Sequence, residues 1–327
     1  PLTFPHVRPP LSLRVRQLPC GHKYCKSCVE ELRQKGVDKS CALCREKLPP
    51  GPEVLWDLGY RMNSRIKDKI DRSRPGVDPT NPWPALSAEQ QREMDEARGM
   101  LREAADQGHM MAQAHVGDMY RFGCGVAKDD RLAFEYNEKA AQQGQVDSQF
   151  NTAVFYRDGR GCEQSYERAA EWYEKAARQG DAGAQCMLGY SYRNGEGVRQ
   201  NLERAVELYK QSAAQGSHTA NNNIAGMYKN GLGVTKNYKE ARRLYALASA
   251  QGFAQATEYL KQLDDKIRTE CPLLGKRVTI TGTSREDLNG KAGVATDFDH
   301  AKGRYVVTLN GQDGKVVKLK PDHVEKK

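Results

Sequence analysis

Residues 181–216 read DAGAQCMLGYSYRNGEGVRQNLERAVELYKQSAAQG, one period of a pattern that runs through the middle of the chain. The stretch ends on Gln215-Gly216, and the same pair stands at Gln107-Gly108, Gln143-Gly144, Gln179-Gly180 and Gln251-Gly252, always 36 residues apart. The same step relates Tyr120, Tyr156, Tyr192 and Tyr228, and likewise Ala133, Ala169, Ala205 and Ala241. It also relates the pairs Gly123/Gly125, Gly159/Gly161, Gly195/Gly197 and Gly231/Gly233. A strict period of this length marks a repeat architecture. Within it, two segments of helical length flank the Gly-x-Gly, so each unit reads as a helical hairpin. In the second segment Ala205, Leu208, Tyr209 and Ala213 share one stripe, while Glu203, Arg204, Glu207 and Lys210 cover the other side. The Gly-x-Gly ends the first helix and permits a left-handed turn, and the Gln-Gly pair ends the second.

A lone hairpin of this kind cannot bury its apolar face, so the units must stack into an all-α solenoid with caps. Gly117, Ala153, Gly189 and Ala225 are small where neighbouring helices must approach, and the tyrosines supply bulk between hairpins. The expected frame is a capping helix over 87–103, repeats at 104–139, 140–175, 176–211 and 212–247, and a partial cap at 248–266. Ser87 is placed to cap the first helix with Gln90 three residues on. The stretch AGAQCMLGYSYRNGEGV, residues 182–198, resembles the Sel-1-like repeat, a tetratricopeptide-type hairpin. The second repeat departs from that pattern at Ser148 and Cys162. The resemblance implies an adaptor surface for protein or peptide clients, with no catalytic residues.

On either side the pattern changes. Residues 51–86 read as a linker, on the strength of prolines at 75, 79, 82 and 84. After 266, short Val- and Thr-rich runs (KRVTITGT, GKAGVATDF, GRYVVTLN, GKVVKLKP) alternate with glycine turns, and a small all-β barrel is expected over 267–327. LNGKAGVATDFDHAKGRYVVTL resembles the strand pairs of Src-homology-3-like and KOW-type barrels; its slight net charge and few exposed aromatics favour packing or peptide docking over RNA binding.

With 28% charged and 38% hydrophobic residues in 327, the chain reads as soluble and multidomain. It contains neither an apolar run long enough for a membrane span nor a secretory pattern at its start, so a cytoplasmic or nuclear address is expected. Residues 1–75 hold 16 Lys and Arg against 8 Asp and Glu, a charge that could attract nucleic acid. No aromatic residues interleave with it, so a solvated basic face is preferred and nucleic acid is not an expected partner.

Five of the nine cysteines fall within 25 residues, as Cys20-x-His22-x2-Cys25-x2-Cys28-x12-Cys41-x2-Cys44. Clustered cysteines without an export signal read as metal ligands, and Cys-x2-Cys lets two thiolates reach one tetrahedral zinc. Cys124, Cys162 and Cys186 are scattered and read as small buried residues. His109, His115 and His218 read as ordinary solenoid residues.

The cluster resembles the latter part of a RING-type zinc finger, a small α+β fold expected here over 1–50. The resemblance implies one Zn2+ at Cys20, His22, Cys41 and Cys44, and a second half-site at Cys25 and Cys28. The first cysteine pair of such fingers is missing; the chain opens on Pro1 rather than Met, so that pair is expected just upstream. The likeness further implies a ubiquitin-conjugating enzyme as partner, with Leu43 and Leu32 on its apolar contact and Arg45 bridging to ubiquitin. Ala42 stands where such fingers usually carry proline. A RING-type ubiquitin ligase or ligase-complex subunit is therefore the leading expectation. A non-enzymatic scaffold with a structural zinc is its rival, and neither requires a nucleophile on this chain.

Overall fold

The computed structural model describes residues 15–17, 23–25, 51–73, 87–300, 302–311 and 315–327. They fall into two compact units, Pro1–Val116 and Gly117–Lys327.

In the first unit, β1 (Val15–Gln17) and β2 (Lys23–Cys25) pair antiparallel, with Val15 opposite Cys25. Helix α1 (Pro52–Ser73) then packs on α2 (Ala88–Asp106). The stretch read as a linker thus opens with a 22-residue helix. Leu55, Gly59 and Ile66 recur at helical spacing and are buried, and the four prolines all lie beyond Ser73. Gly59 permits the close approach, since a Cβ there would lie 2.9 Å from both Ala97 O and Leu101 Cγ. The α2 side of the pair is Met94, Ala97, Leu101 and Ala104, all buried. Ser87 caps α2 as expected: its Oγ accepts from Gln90 N at 3.2 Å while Gln90 Oε1 accepts from Ser87 N at 2.9 Å.

Helix α3 (Met110–Phe122) starts the repeats and continues into the second unit. There follow α4 (Asp130–Gln142), α5 (Val146–Asp158), α6 (Tyr166–Arg178), α7 (Ala182–Asn194), α8 (Leu202–Ala214), α9 (His218–Asn230), α10 (Tyr238–Ala250) and α11 (Ala254–Glu270). Helices α3 to α10 have 13 residues each, and alternate helices start 36 residues apart. The period is the one read from the sequence, but its phase differs. Frames opening at 104, 140, 176 and 212 fall before the hairpins that open at 110, 146, 182 and 218. A period fixes the length of a unit and leaves its origin open; caps fix the origin. Asp129, Ser165, Asn201 and Asn237, again 36 residues apart, accept backbone hydrogen bonds at the starts of α4, α6, α8 and α10.

The glycine pairs do two jobs. Gly159, Gly195 and Gly231 are left-handed caps ending α5, α7 and α9. The second glycine, at φ +69 in Gly197, lies so close to Tyr166 O of the preceding hairpin that no Cβ fits. The Gln-Gly pair does more than end a helix. Gln215 Nε2 reaches back one unit to Gly180 O at 3.0 Å and to Gln185 Oε1 at 2.9 Å, and Gln179 does the same to Gly144 O and Gln149 Oε1. Glutamine therefore ties successive units together by donating to the carbonyl of the preceding Gln-Gly pair, with its own side chain still exposed.

The chain ends in a five-stranded antiparallel sheet of order β6-β5-β4-β3-β7. Its strands are β3 (Arg277–Ile280), β4 (Ala292–Asp299), β5 (Arg304–Leu309), β6 (Val316–Leu319) and β7 (Val324–Lys326). The four Val- and Thr-rich runs supply β3 to β6; β7, only three residues long, lacks a run of its own. The sheet core of Val278, Ile280, Ala295, Tyr305, Val307 and Leu319 is continuous with Leu263 of α11 and with Cys271. Leu273 N donates to Tyr305 Oη at 3.2 Å, and the His300 ring meets Tyr238 of α10 at 4.3 Å between centroids. The sheet thus covers the end of the repeats.

Candidate functional site

The first helices of successive hairpins, α5, α7 and α9, carry residues in register along one face, some of which keep part of their surface open. At one level stand Val154, Tyr190 and Gly226, and beside them Asn151, Met187 and Asn223. Tyr190 is 39% exposed, and Val154 and Met187 are half-buried. The last turns of these helices hold Arg157, Arg193 and Lys229, preceded one period earlier by Arg121. A cation there also opposes the partial negative charge of a helix C-terminus.

The cations are positioned by what lies beneath them. Arg157 pairs with Asp158 at 2.7 Å, and its Nη1 lies 3.5 Å from Tyr173 Oη and 4.0 Å from Met187 Sδ. Burial pushes the Tyr173 phenol up to about 12, so it stays neutral beside the guanidinium. Arg121 Nη1 donates to Asn151 Oδ1 at 2.5 Å, and Asn151 Nδ2 reaches Asp118 Oδ1 at 3.4 Å. Burial raises the Asp118 carboxyl against the opposing pull of Arg121. The face offers an apolar centre, amide hydrogen-bonding groups and a cationic row, which together suit a protein or peptide ligand.

Of the residues singled out from sequence, Cys25 closes β2. Cys20, His22, Cys28, Cys41 and Cys44 lie outside the described residues, as do Leu32, Leu43 and Arg45. Among the described residues no cluster of His, Cys, Asp and Glu could hold a metal. The donor set Cys20, His22, Cys41 and Cys44, three thiolates and one imidazole, fits zinc by its chemistry.

Cys186 and Cys271 are buried, and burial pushes each thiol up to about 11, so neither is a nucleophile at neutral pH. Cys124 and Cys162 are only partly buried. His109 Nδ1 accepts from Ala112 N at 3.0 Å at the start of α3, and its Nε2 lies 3.0 Å from Glu53 Oε2. His115 meets Trp56 and Tyr60 edge-on, and burial lowers its pKa. His218 stacks on Phe253 at 5.4 Å. These contacts fit the packing roles expected of the three histidines. Among the described residues no helix is long and apolar enough to cross a membrane.

The Sel1 repeat family model matches residues 90–109, 111–145, 146–181, 182–217 and 218–253, and that of the C3HC4-type (RING finger) zinc finger matches residues 8–44. Among solved structures the chain is similar to c5321, a protective antigen of uropathogenic Escherichia coli strains displaying an SLR fold. Identity is 26% over 72% of this chain and 43% of that one, with a TM-score of 0.53. It is also similar to a Sel1 repeat protein from Oxalobacter formigenes, at 27% identity over 61% of this chain and 72% of that one, with a TM-score of 0.49. The chain spans less than half the length of the E. coli antigen. None of the curated proteins matches it. Residues 90–253 carry five Sel1 repeats, preceded by a segment that matches the C3HC4-type RING finger.

Proposed function

We propose that this chain is a ubiquitin-ligase adaptor: its RING-type finger recruits a ubiquitin-conjugating enzyme and its Sel1 repeats hold the client. The observation that carries the reading is the pairing, in one chain, of a C3HC4 match over 8–44 with five Sel1 repeats. Cys20, His22, Cys41 and Cys44 would hold one Zn2+, with Cys25 and Cys28 giving two ligands to another. The ion cross-links a domain too small to fold on apolar burial alone. Leu43, supported by Leu32, offers the apolar contact to the conjugating enzyme. Arg45 has the planar fork to bridge that enzyme and its ubiquitin. No residue of this chain attacks the thioester; rate comes from restricting the motion of ubiquitin beside an acceptor lysine.

The client is assigned to the face of α5, α7 and α9, where Val154, Met187 and Tyr190 give apolar contact flanked by Arg157 and Arg193. The test is autoubiquitination by the zinc-loaded protein with Leu43→Ala and Arg45→Ala variants. Each should lose at least tenfold in transfer while zinc content and repeat stability hold. Unchanged transfer in both would reject the assignment. Bound zinc without transfer across a panel of conjugating enzymes would favour a scaffold, a reading to which Ala42 lends support.

A further inference from the structure

We propose that the free edge of β6 is a docking site for an acidic segment of a partner protein, which adds to the sheet as an extended strand. Strand β6 lies at the end of the sheet order and, among the described residues, pairs with β5 only. Leu309 N donates to Lys315 O at 2.9 Å, which sets the ladder phase: the partners 307/317 and 305/319 exchange hydrogen bonds. Between them, Val316 and Lys318 turn their N–H and C=O away from β5, toward the open edge. Two such residues spaced by two present the pattern that an incoming strand completes.

A groove of about 460 Å³ runs along this edge, lined by β6 and by the loop after β3. Its cationic lining is Arg285, Arg304, Lys318 and Lys320, and among the described residues no acidic side chain lines it. Two carboxylates at the rim already respond to this field. Asp287 is held below its usual range chiefly by Arg285, and Asp299 chiefly by Lys318. Those ion pairs occupy Arg285 and Lys318, at 2.9 and 3.0 Å. Arg304 and Lys320 have no ion-pair partner among the described residues and remain for a ligand. The groove floor is apolar, at Leu288, Val317 and Leu319.

These features favour one occupant. Single-stranded nucleic acid would seek stacking platforms, and among the described residues no Phe, Tyr or Trp lines the groove. A second copy of the chain, pairing β6 with β6, would set Lys318 and Lys320 against their own kind. An extended peptide alternating acidic and uncharged residues satisfies the edge amides and the cations together.

The experiment measures binding of a labelled octapeptide of alternating threonine and glutamate to the whole protein. Its controls are the threonine-lysine peptide, the glutamate peptide N-methylated at alternate residues, and an oligouridine. The glutamate peptide should bind. N-methylation, which removes strand hydrogen bonds without altering the protein, should weaken it at least tenfold. The double substitution Arg304→Glu and Lys320→Glu, both on exposed side chains, should do the same with thermal unfolding unchanged. Val316→Pro, which deletes an edge donor and leaves the β5 ladder intact, should match the N-methyl result. The proposal is overturned by absence of binding, by equal binding of the lysine or N-methylated peptide, by tighter binding of oligouridine, or by dimerisation that Val316→Pro abolishes.

Discussion

Two levels of the same repeat are filled by different chemistry. Between α7, α8 and α9 the space is taken by Tyr209, fully buried, with its ring so near Gly189 that a Cβ there would sit 3.0 Å away. Tyr173 and Tyr245 fill the equivalent places one period before and after. One period earlier still, the residue is Asn137. It donates from Nδ2 to Ala133 O at 2.9 Å, accepts from Asn151 at 3.3 Å, and through Asn151 joins Arg121 and Asp118. The backbone geometry is the same at each level, so the repeat demands a filled and satisfied space rather than a particular side chain. Ring volume meets that demand by apolar burial, and the amides meet it by hydrogen-bonding one another and the Ala133 carbonyl. The tyrosine levels gain stability from area, while the amide level gains direction.

Exchanging the two chemistries gives the largest expected effect. Tyr209→Asn opens a cavity and strands an amide among apolar neighbours; a loss of about 3–5 kcal/mol is expected in denaturant unfolding. Asn137→Tyr costs stability for a different reason, because it removes the Oδ1 that accepts from buried Asn151, and a smaller loss is expected in the same unfolding measurement.

Next come the glycines. Gly197→Ala meets both a positive φ and the Tyr166 carbonyl, and about 2–3 kcal/mol is expected. Gly180→Ala has φ +92 but nothing within 4 Å, so backbone strain of about 1–2 kcal/mol is the whole cost. A pair of thermal unfolding curves checks the order. Equal losses would show that close approach between hairpins is not what the second glycine of Gly-x-Gly provides.

Gln215→Ala removes the stitch to Gly180 O and Gln185, and about 1–2 kcal/mol is expected. Hydrogen exchange should rise at the α7/α8 level more than at α5/α6.

The smallest effect is electrostatic. Arg160 grips Asp130 at 2.5 Å and, chiefly through that hydrogen bond, holds its carboxyl below the usual range. A depressed carboxylate contributes stability that is present above its unfolded-state value, about 3.9, and is lost as pH falls through the lower folded value. Both side chains are a third exposed, so after solvent screening the pair contributes under about 1 kcal/mol. Arg160→Ala should flatten that acid limb, and an NMR titration of Asp130 should return toward the ordinary value.

How much was legible in the sequence follows from where each signal lives. The period and the Ser87 cap are written in residue types and stand in the structure, whereas of the tyrosines read as filling the layer Tyr120 and Tyr156 are buried and Tyr192 and Tyr228 only half-buried. The phase was legible too, but only in the Asp129, Ser165, Asn201 and Asn237 series, which the Gln-Gly pairs overshadowed. Helix α1 was hidden by prolines that lie beyond it. The face of α5, α7 and α9 is not a local property: Tyr190 looks like a core residue until the neighbouring helices are placed and leave it 39% exposed. The zinc finger is the reverse case, since ligand spacing alone carries it, and the C3HC4 match over 8–44 spans the same cysteines.

The central claim, that finger and repeats work together in ubiquitin transfer, is tested most directly by single-turnover discharge. A conjugating enzyme charged with ubiquitin is mixed with free lysine and with the zinc-loaded or the chelated protein. Faster discharge with the zinc-loaded protein, lost on chelation and in Arg45→Ala, is the predicted result. Discharge at the uncatalysed rate across a panel of conjugating enzymes, with zinc bound and repeats folded, would contradict it.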